Sequence, residues 1–280
     1  MPLYHIIILA IVQGISEFLP ISSSGHLILT HALLHEGPGQ PDYWGETLTL
    51  DIAVHVGSLL AILLYFRKDI WQVVLGGFDL LSVHKNGLTQ RSKLCLFLMA
   101  GTVPVVIIGL ILHIYEPAWA RSLPLAAWGL VIFGILLGVA DLKCPATRTG
   151  ADLTLKDVMI IGLAQCLALL PGTSRSGITM TAGRFLGLSR VEAARFSFLL
   201  GSIAIAGAGF LAALGMVENP PSNGLWLDIA AGVVVSCLAA LGAMHVLMKW
   251  LTRSSFMVFV WYRVGLGLFL LVLLYTGMLG

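Results

Sequence analysis

Residues 13–26 read QGISEFLPISSSGH. This stretch decides the fold, because a carboxylate, three consecutive hydroxyls, a glycine and a histidine stand in sequence otherwise apolar enough for lipid. Residues 5–16 and 18–35 are apolar, but Pro20, the serine run and Gly25 break them in the middle, so neither half is an independent span. Proline removes a helical donor and glycine relaxes the backbone. The pattern predicts a re-entrant hairpin over about 5–35, two short helices that enter the membrane and return.

A second stretch, residues 165–179 (QCLALLPGTSRSGIT), echoes the first and adds an arginine. Its flanks, about 158–170 and 176–188, are split by Pro171 and Gly172, which predicts another hairpin over about 158–188. Gln165, Ser174, Ser176 and Gly177 stand 152 residues after Gln13, Ser22, Ser24 and Gly25, and Gly201-Ser202 stand 144 residues after Gly57-Ser58.

The rest of the chain fits a polytopic membrane protein. Of its 280 residues 58% are hydrophobic and 11% charged, which excludes an ordinary soluble globule. The apolar runs are continuous rather than alternating, so the spans are helices, each needing about 20 residues. Six are predicted, at roughly 50–66, 94–115, 122–140, 196–217, 225–248 and 256–279. Segment 70–81 is too short and mixed to span and is expected at the interface. A net charge of +2 gives no reason to expect nucleic acid as a partner. Cys95, Cys144, Cys166 and Cys237 have no short repeated spacing, so neither a disulfide framework nor a zinc site is indicated. The N-terminal MPLYHIII lacks a basic region and a cleavage site, and no removable signal peptide is read there.

Basic residues set the orientation, since short cytoplasmic loops are enriched in Lys and Arg. Arg67, Lys68, Lys85, Arg91 and Lys93 follow the first span, Lys143, Arg148 and Lys156 the third, and Lys249 and Arg253 the fifth. The loop at 36–51 carries Glu36, Asp42, Glu46 and Asp51 with no Lys or Arg, and the loop after the second span has only Arg121 beside Glu116. Strict alternation then places the hairpins on opposite faces. The expected fold is all-α, with two inverted-topology repeats: 1–145 and 146–280, each a re-entrant hairpin plus three spans in one membrane domain.

Several residues in these stretches carry chemistry. Glu17 is the one acid of the first hairpin, and a carboxylate within a membrane segment costs roughly 2.5 to 3.5 kcal/mol on insertion scales. Gln13, four residues earlier, shares its helix face. Ser22, Ser23, Ser24 and Gly25 precede a helix restart, which suits either ordinary capping or an anion cradle. His26 can serve as nucleophile or proton carrier. Ser174, Ser176 and Gly177 repeat the turn-to-helix pattern, Thr179 adds a hydroxyl, and Arg175 is placed either to grip phosphate or to pair with Glu17. His31 and His35 are read as interfacial, Arg184, Arg190 and Arg195 as a cytoplasmic basic face, and Arg263 as a snorkelling side chain.

On these residues, QGISEFLPISSSGH and LPGTSRSG resemble the two signature motifs of the bacterial undecaprenyl-diphosphate phosphatase family associated with bacitracin resistance. FRKD at 66–69 and the GS-bearing spans extend the likeness along the chain. The resemblance implies a multi-pass enzyme of the bacterial cytoplasmic (inner) membrane. Such an enzyme removes the terminal phosphate of a polyprenyl diphosphate, recycling the lipid carrier of cell-wall synthesis, at a site open to the periplasm or outer face. It implies catalytic roles for Glu17, Ser23, His26 and Arg175, and phosphate contacts from Ser174 and Thr179. It also implies a divalent cation, Mg2+ or Ca2+, bridging substrate phosphates with Glu17, which either activates the nucleophile or positions the metal. Gln13 takes the amide option where a second carboxylate occurs in the family, which argues against a two-carboxylate chelate. Either Ser23 or His26 attacks phosphorus, with Ser23 favoured and His26 as its proton partner. The rival class is a secondary transporter or lipid flippase, because broken helices in inverted repeats are a transporter signature. A different membrane lipid phosphatase class needs a histidine soon after Ser-Arg, and residues 176–183 contain none. Small-residue spacing such as Gly134 to Gly138 allows close packing, inside a monomer or in a homodimer.

Overall fold

The protein is described by a computed structural model at residues 3–34, 43–81, 87–115, 119, 122–218 and 225–277. The acidic loop residues Glu36 and Asp42, together with His35, Lys85, Glu116 and Arg121, lie outside the described residues. Eleven α-helices are present among them: α1 (Leu3–Phe18), α2 (Ser23–Leu34), α3 (Tyr43–Tyr65), α4 (Arg67–Leu80), α5 (Gln90–Tyr115), α6 (Leu123–Lys143), α7 (Leu155–Cys166), α8 (Arg175–Phe185), α9 (Arg190–Glu218), α10 (Leu225–Leu251) and α11 (Met257–Tyr275). No strand occurs among the described residues.

Five of these helices, α5, α6, α9, α10 and α11, are long and apolar enough to cross a membrane, which makes this a multi-pass membrane protein. The sixth expected span is met differently. The run Leu50–Tyr65 of α3 qualifies only together with α4, which continues after an 88° bend at Phe66. After that bend α4 packs on α5. Pro104 falls inside α5 without ending it.

Both interrupted segments fold as two short helices joined by a turn. In the first, α1 ends at Phe18 and α2 begins at Ser23; in the second, α7 passes through a 3-10 turn at Leu167–Leu169 before α8 begins at Arg175. The turns are built alike. Ser22 and Ser174 are the two non-glycine residues with positive φ among those described, at 77° and 70°. Each has its hydroxyl within hydrogen-bonding distance of the serine two residues on, at 3.3 and 3.2 Å. Gln13 and Gln165 are both fully buried.

Close approach of helices positions the turns. Hairpin helix α1 packs on α10, and α7 packs on α5. A Cβ on Gly14 would stand 2.5 Å from the Ser236 carbonyl oxygen, and one on Gly162 would stand 2.5 Å from that of Gly101. The small residues Gly134 and Gly138 face Arg263 and Val260 of α11, so this stripe serves packing within one chain. Beneath the first turn, Phe18 meets Phe198 edge-on at 5.3 Å, and Phe198 reaches Phe66 at 6.0 Å. All three rings are buried in the main apolar cluster.

Two arginine expectations are corrected. Arg263 does not snorkel: its side chain is 0% exposed in the middle of the bundle. Arg184 is no part of a solvated basic face either. It is 3% exposed and bonds to the carbonyls of Leu188 and Cys144, with Asp141 at 3.6 Å. Both follow from unfilled backbone acceptors at turns, which the terminal nitrogens of a buried guanidinium satisfy. Arg190 and Arg195 remain partly exposed, paired with Asp141 at 2.6 Å and with Asp69.

Candidate active site

The ends of α1 and α8 bring the two sequence stretches together. Glu17 stands on the last turn of α1, 7% exposed, with Oε1 accepting a hydrogen bond from Arg175 Nη2 at 2.6 Å. Its Oε2 accepts from Ser23 Oγ at 2.8 Å and from Gln13 Nε2 at 3.0 Å. The i to i+4 spacing of Gln13 and Glu17 therefore works as the helix geometry requires. The carboxylate's cost of burial is offset by a cation and two neutral donors.

Arg175 is held from behind. It lies so close to α9 that a Cβ on Gly201 would fall 1.1 Å from its Nη1, and only glycine leaves that space. Nη1 also reaches the Ser197 carbonyl at 3.5 Å. Thr179 bonds the Arg175 carbonyl at 2.8 Å and the Ser197 hydroxyl at 2.6 Å. Its hydroxyl is thus engaged in positioning the first turn of α8, rather than standing open to a ligand. Ser174 caps α8 by accepting from the Gly177 N–H at 3.1 Å. Ser176 donates to the Leu19 carbonyl at 3.2 Å, joining the second turn to the first. Ser24 is the exposed member of the serine run, and Gly25 is buried against Ser22.

His26 faces elsewhere than toward Ser23. Its Nδ1 lies 2.7 Å from the Ser22 carbonyl and its Nε2 lies 2.7 Å from Tyr262 Oη, with the two rings stacked at 12°. A carbonyl only accepts, so Nδ1 carries a proton, and in the neutral ring Nε2 receives the Tyr262 hydroxyl proton in a hydrogen bond. The group in contact with Ser23 is Glu17.

Three residues of this site escape sequence reading. His55 of α3 brings Nε2 to 3.9 Å from Glu17 Oε2, and its Nδ1 is 2.6 Å from the Asp51 carbonyl. Tyr262 and Arg263 are neighbours on α11; Arg263 donates to the carbonyls of Thr173 at 2.7 Å, Gly172 at 3.0 Å, Pro20 at 3.4 Å and Gly129 at 3.4 Å. A polar pair in an otherwise apolar final span was the available signal for the last two. His31, set aside with His35, bonds Asp51 at 3.0 Å.

For a metal, no three His, Cys, Asp or Glu side chains converge among the described residues. The Gln13 side-chain oxygen, however, is buried without a hydrogen-bond partner beside Glu17. One carboxylate and one free amide oxygen suit a hard cation completed by phosphate oxygens and water, and do not make a closed cage.

A family model described as bacitracin resistance protein BacA matches residues 6–269. The chain belongs to the BacA family. It is 44% identical over 275 residues to a protein of Hahella chejuensis named undecaprenyl-diphosphatase, covering 97% of this chain and 98% of that one. A protein of the same name from Campylobacter concisus is 44% identical over 274 residues, covering 98% and 99%. Another from Thioalkalivibrio sulfidiphilus is 41% identical over 273 residues, covering 98% and 99%. The BacA match takes in both hairpins and the α11 pair, so every group described above lies within the family's extent.

Proposed function

We propose that this protein hydrolyses undecaprenyl diphosphate to undecaprenyl phosphate and inorganic phosphate at the meeting point of its two hairpin turns. The observation that carries the mechanism is the bonding of Glu17, with Ser23 on one oxygen and Arg175 on the other. Ser23 is the nucleophile. Its Oγ attacks the terminal phosphorus as Glu17 Oε2 takes the hydroxyl proton, and the bond to the bridging oxygen breaks. Arg175 leaves its place on Glu17 as that carboxylate takes up the proton, and its guanidinium meets the charge on the phosphoryl oxygens. Water then attacks the phosphoserine, and Ser23 Oγ recovers its proton from Glu17 while phosphate departs. Ser22, Ser24, Ser174 and the N–H groups at the starts of α2 and α8 hold the non-reacting oxygens. His26, backed by Tyr262, serves the leaving lipid phosphate rather than Ser23.

A divalent cation, Mg2+ or Ca2+, would be held by Glu17 and the free Gln13 oxygen, and would supply charge neutralisation for the two phosphates.

The two halves, 1–145 and 146–280, are read as inverted-topology repeats. The matched positive-φ serines, the matched buried glutamines and the pairings of α1 with α10 and α7 with α5 support this. Charge placement supports a site opening to the outer face of the bacterial cytoplasmic membrane, with the prenyl tail leaving sideways into lipid. The transporter reading draws no support from the BacA match or from the relatives' names. Purified protein should release phosphate from undecaprenyl diphosphate, lose that activity in Ser23→Ala and Arg175→Ala, and respond to chelator. A trapped, acid-labile phosphoenzyme mapping to His26 would move the nucleophile there.

A further inference from the structure

Arg263 is a buried cation without a buried anion. Its side chain is 0% exposed, and no carboxylate lies within ion-pair distance of it among the described residues. All of its partners are neutral carbonyls: Pro20 in the first turn, Gly172 and Thr173 in the second, and Gly129 of α6. Carbonyls accept from its two terminal nitrogens, Nε has no hydrogen-bond partner among the described residues, and nothing there cancels its charge. The other fixed charges at the turns, Glu17 and Arg175, cancel one another at 2.6 Å. The imidazoles aside, the net charge beneath the two turns is therefore that of Arg263.

The same bonds orient the peptide groups. In a trans peptide the C=O and N–H point in opposite directions, and no cis peptide occurs among the described residues. Drawing the Thr173 carbonyl onto Arg263 turns the Ser174 N–H away from the guanidinium, at the start of α8. The approach is close, since a Cβ on Gly177 would stand 2.7 Å from Arg263 Nη1.

We propose that Arg263 is a positioning residue that makes the paired turns a site for phosphate oxyanions, by its uncancelled charge and its grip on their carbonyls, without touching the ligand. This rests on the phosphatase reading above and extends it to a residue of the last helix. A charge a few ångströms below the site, in a medium of intermediate dielectric, sets an effect on affinity of roughly 10- to 100-fold.

The test uses full-length protein in detergent and methylenediphosphonate, a non-hydrolysable probe, bound in a calorimeter to wild type, Arg263→Met and Arg263→Lys. Phosphate release from undecaprenyl diphosphate is followed in parallel, with kcat and KM separated. Arg263→Met should weaken binding by about 10- to 100-fold. Arg263→Lys should restore most of the affinity yet keep a low kcat, because an ammonium cannot span all four carbonyls. A Met variant with wild-type melting temperature and wild-type affinity overturns the proposal. Should the Met variant fail to fold, a folded Lys variant that loses affinity tenfold or more overturns it equally. Wild type that binds the probe but releases no phosphate, with binding lost in Arg263→Met, would retire the phosphatase reading and sustain this one.

Discussion

At the residue scale, the decisive contact is the Ser23 hydroxyl on Glu17. Glu17→Gln keeps the shape but removes the proton acceptor, and kcat should fall by roughly 10²- to 10⁴-fold, the usual range for a general base. Steady-state phosphate release checks this, with a melting curve to show the fold intact. Tyr262→Phe removes one hydrogen bond from His26 and nothing from the packing, so a loss of about 1 kcal/mol, or roughly fivefold in kcat/KM, is expected without a change in melting temperature. Glu17, Ser23 and Arg175 were legible in the sequence because a carboxylate, a serine run and an arginine inside apolar segments need compensation. The sequence leaves Glu17 either to activate the nucleophile or to position a metal and favours His26 as the proton partner of Ser23; that Ser23 bonds Glu17 while His26 turns away was not legible. It depends on which way an imidazole turns, and that is fixed by Ser22 and by a tyrosine 236 residues away.

At the element scale, the hairpins were predictable from Pro20, Gly25, Pro171 and Gly172, with ends displaced by a few residues; α1 runs to Phe18 and α7 starts at Leu155. Arg184 and Arg263 were misread because sequence shows that an arginine lies near a helix end but not which carbonyls the neighbouring turns leave unfilled. Phe18 anchors the end of α1 in the aromatic cluster, directly behind Glu17. Phe18→Ala should destabilise by about 3 to 5 kcal/mol and lower kcat as well, read by denaturation in detergent and by turnover. The start of α7 has its own lock on the linker side of the bundle. Thr154 and Asp157 form a capping box, and Arg148 bonds Asp157 at 2.6 Å. The Arg148 guanidinium, helped by the Thr154 donors, holds the Asp157 carboxyl well below the usual carboxylate range. A depressed folded-state value means that the stabilisation is complete above the unfolded carboxyl's pKa and is lost as pH falls through the folded one. Acid melting of Asp157→Asn should therefore show a shallower loss of stability below about pH 4 than wild type, from a lower starting point.

At the scale of the whole molecule, the site is assembled from both ends of the chain, with α1 and α2 supplying the acid and serines, α8 the guanidinium, and α11 the support beneath. The multi-pass character was legible from composition alone. Which spans meet was only partly so, because helix contacts in a bilayer depend on small-residue fit rather than on amphipathic faces. The orientation has a direct check: single cysteines at Ala146 and at Ser24, in an otherwise cysteine-free background, should label from opposite sides of sealed vesicles. Labelling of both from one side would refute the inverted arrangement.

Ser22 and Ser174 remain in a backbone region that side chains seldom occupy, at φ 77° and 70°. Each such residue stores of order 1 to 3 kcal/mol of conformational energy. Serine stands at both bends where glycine would sit at ease, so each bend is a cocked spring within the site. A laboratory search for heat-tolerant variants would be expected to fix Ser22→Gly early and to recover a sturdier, slower enzyme.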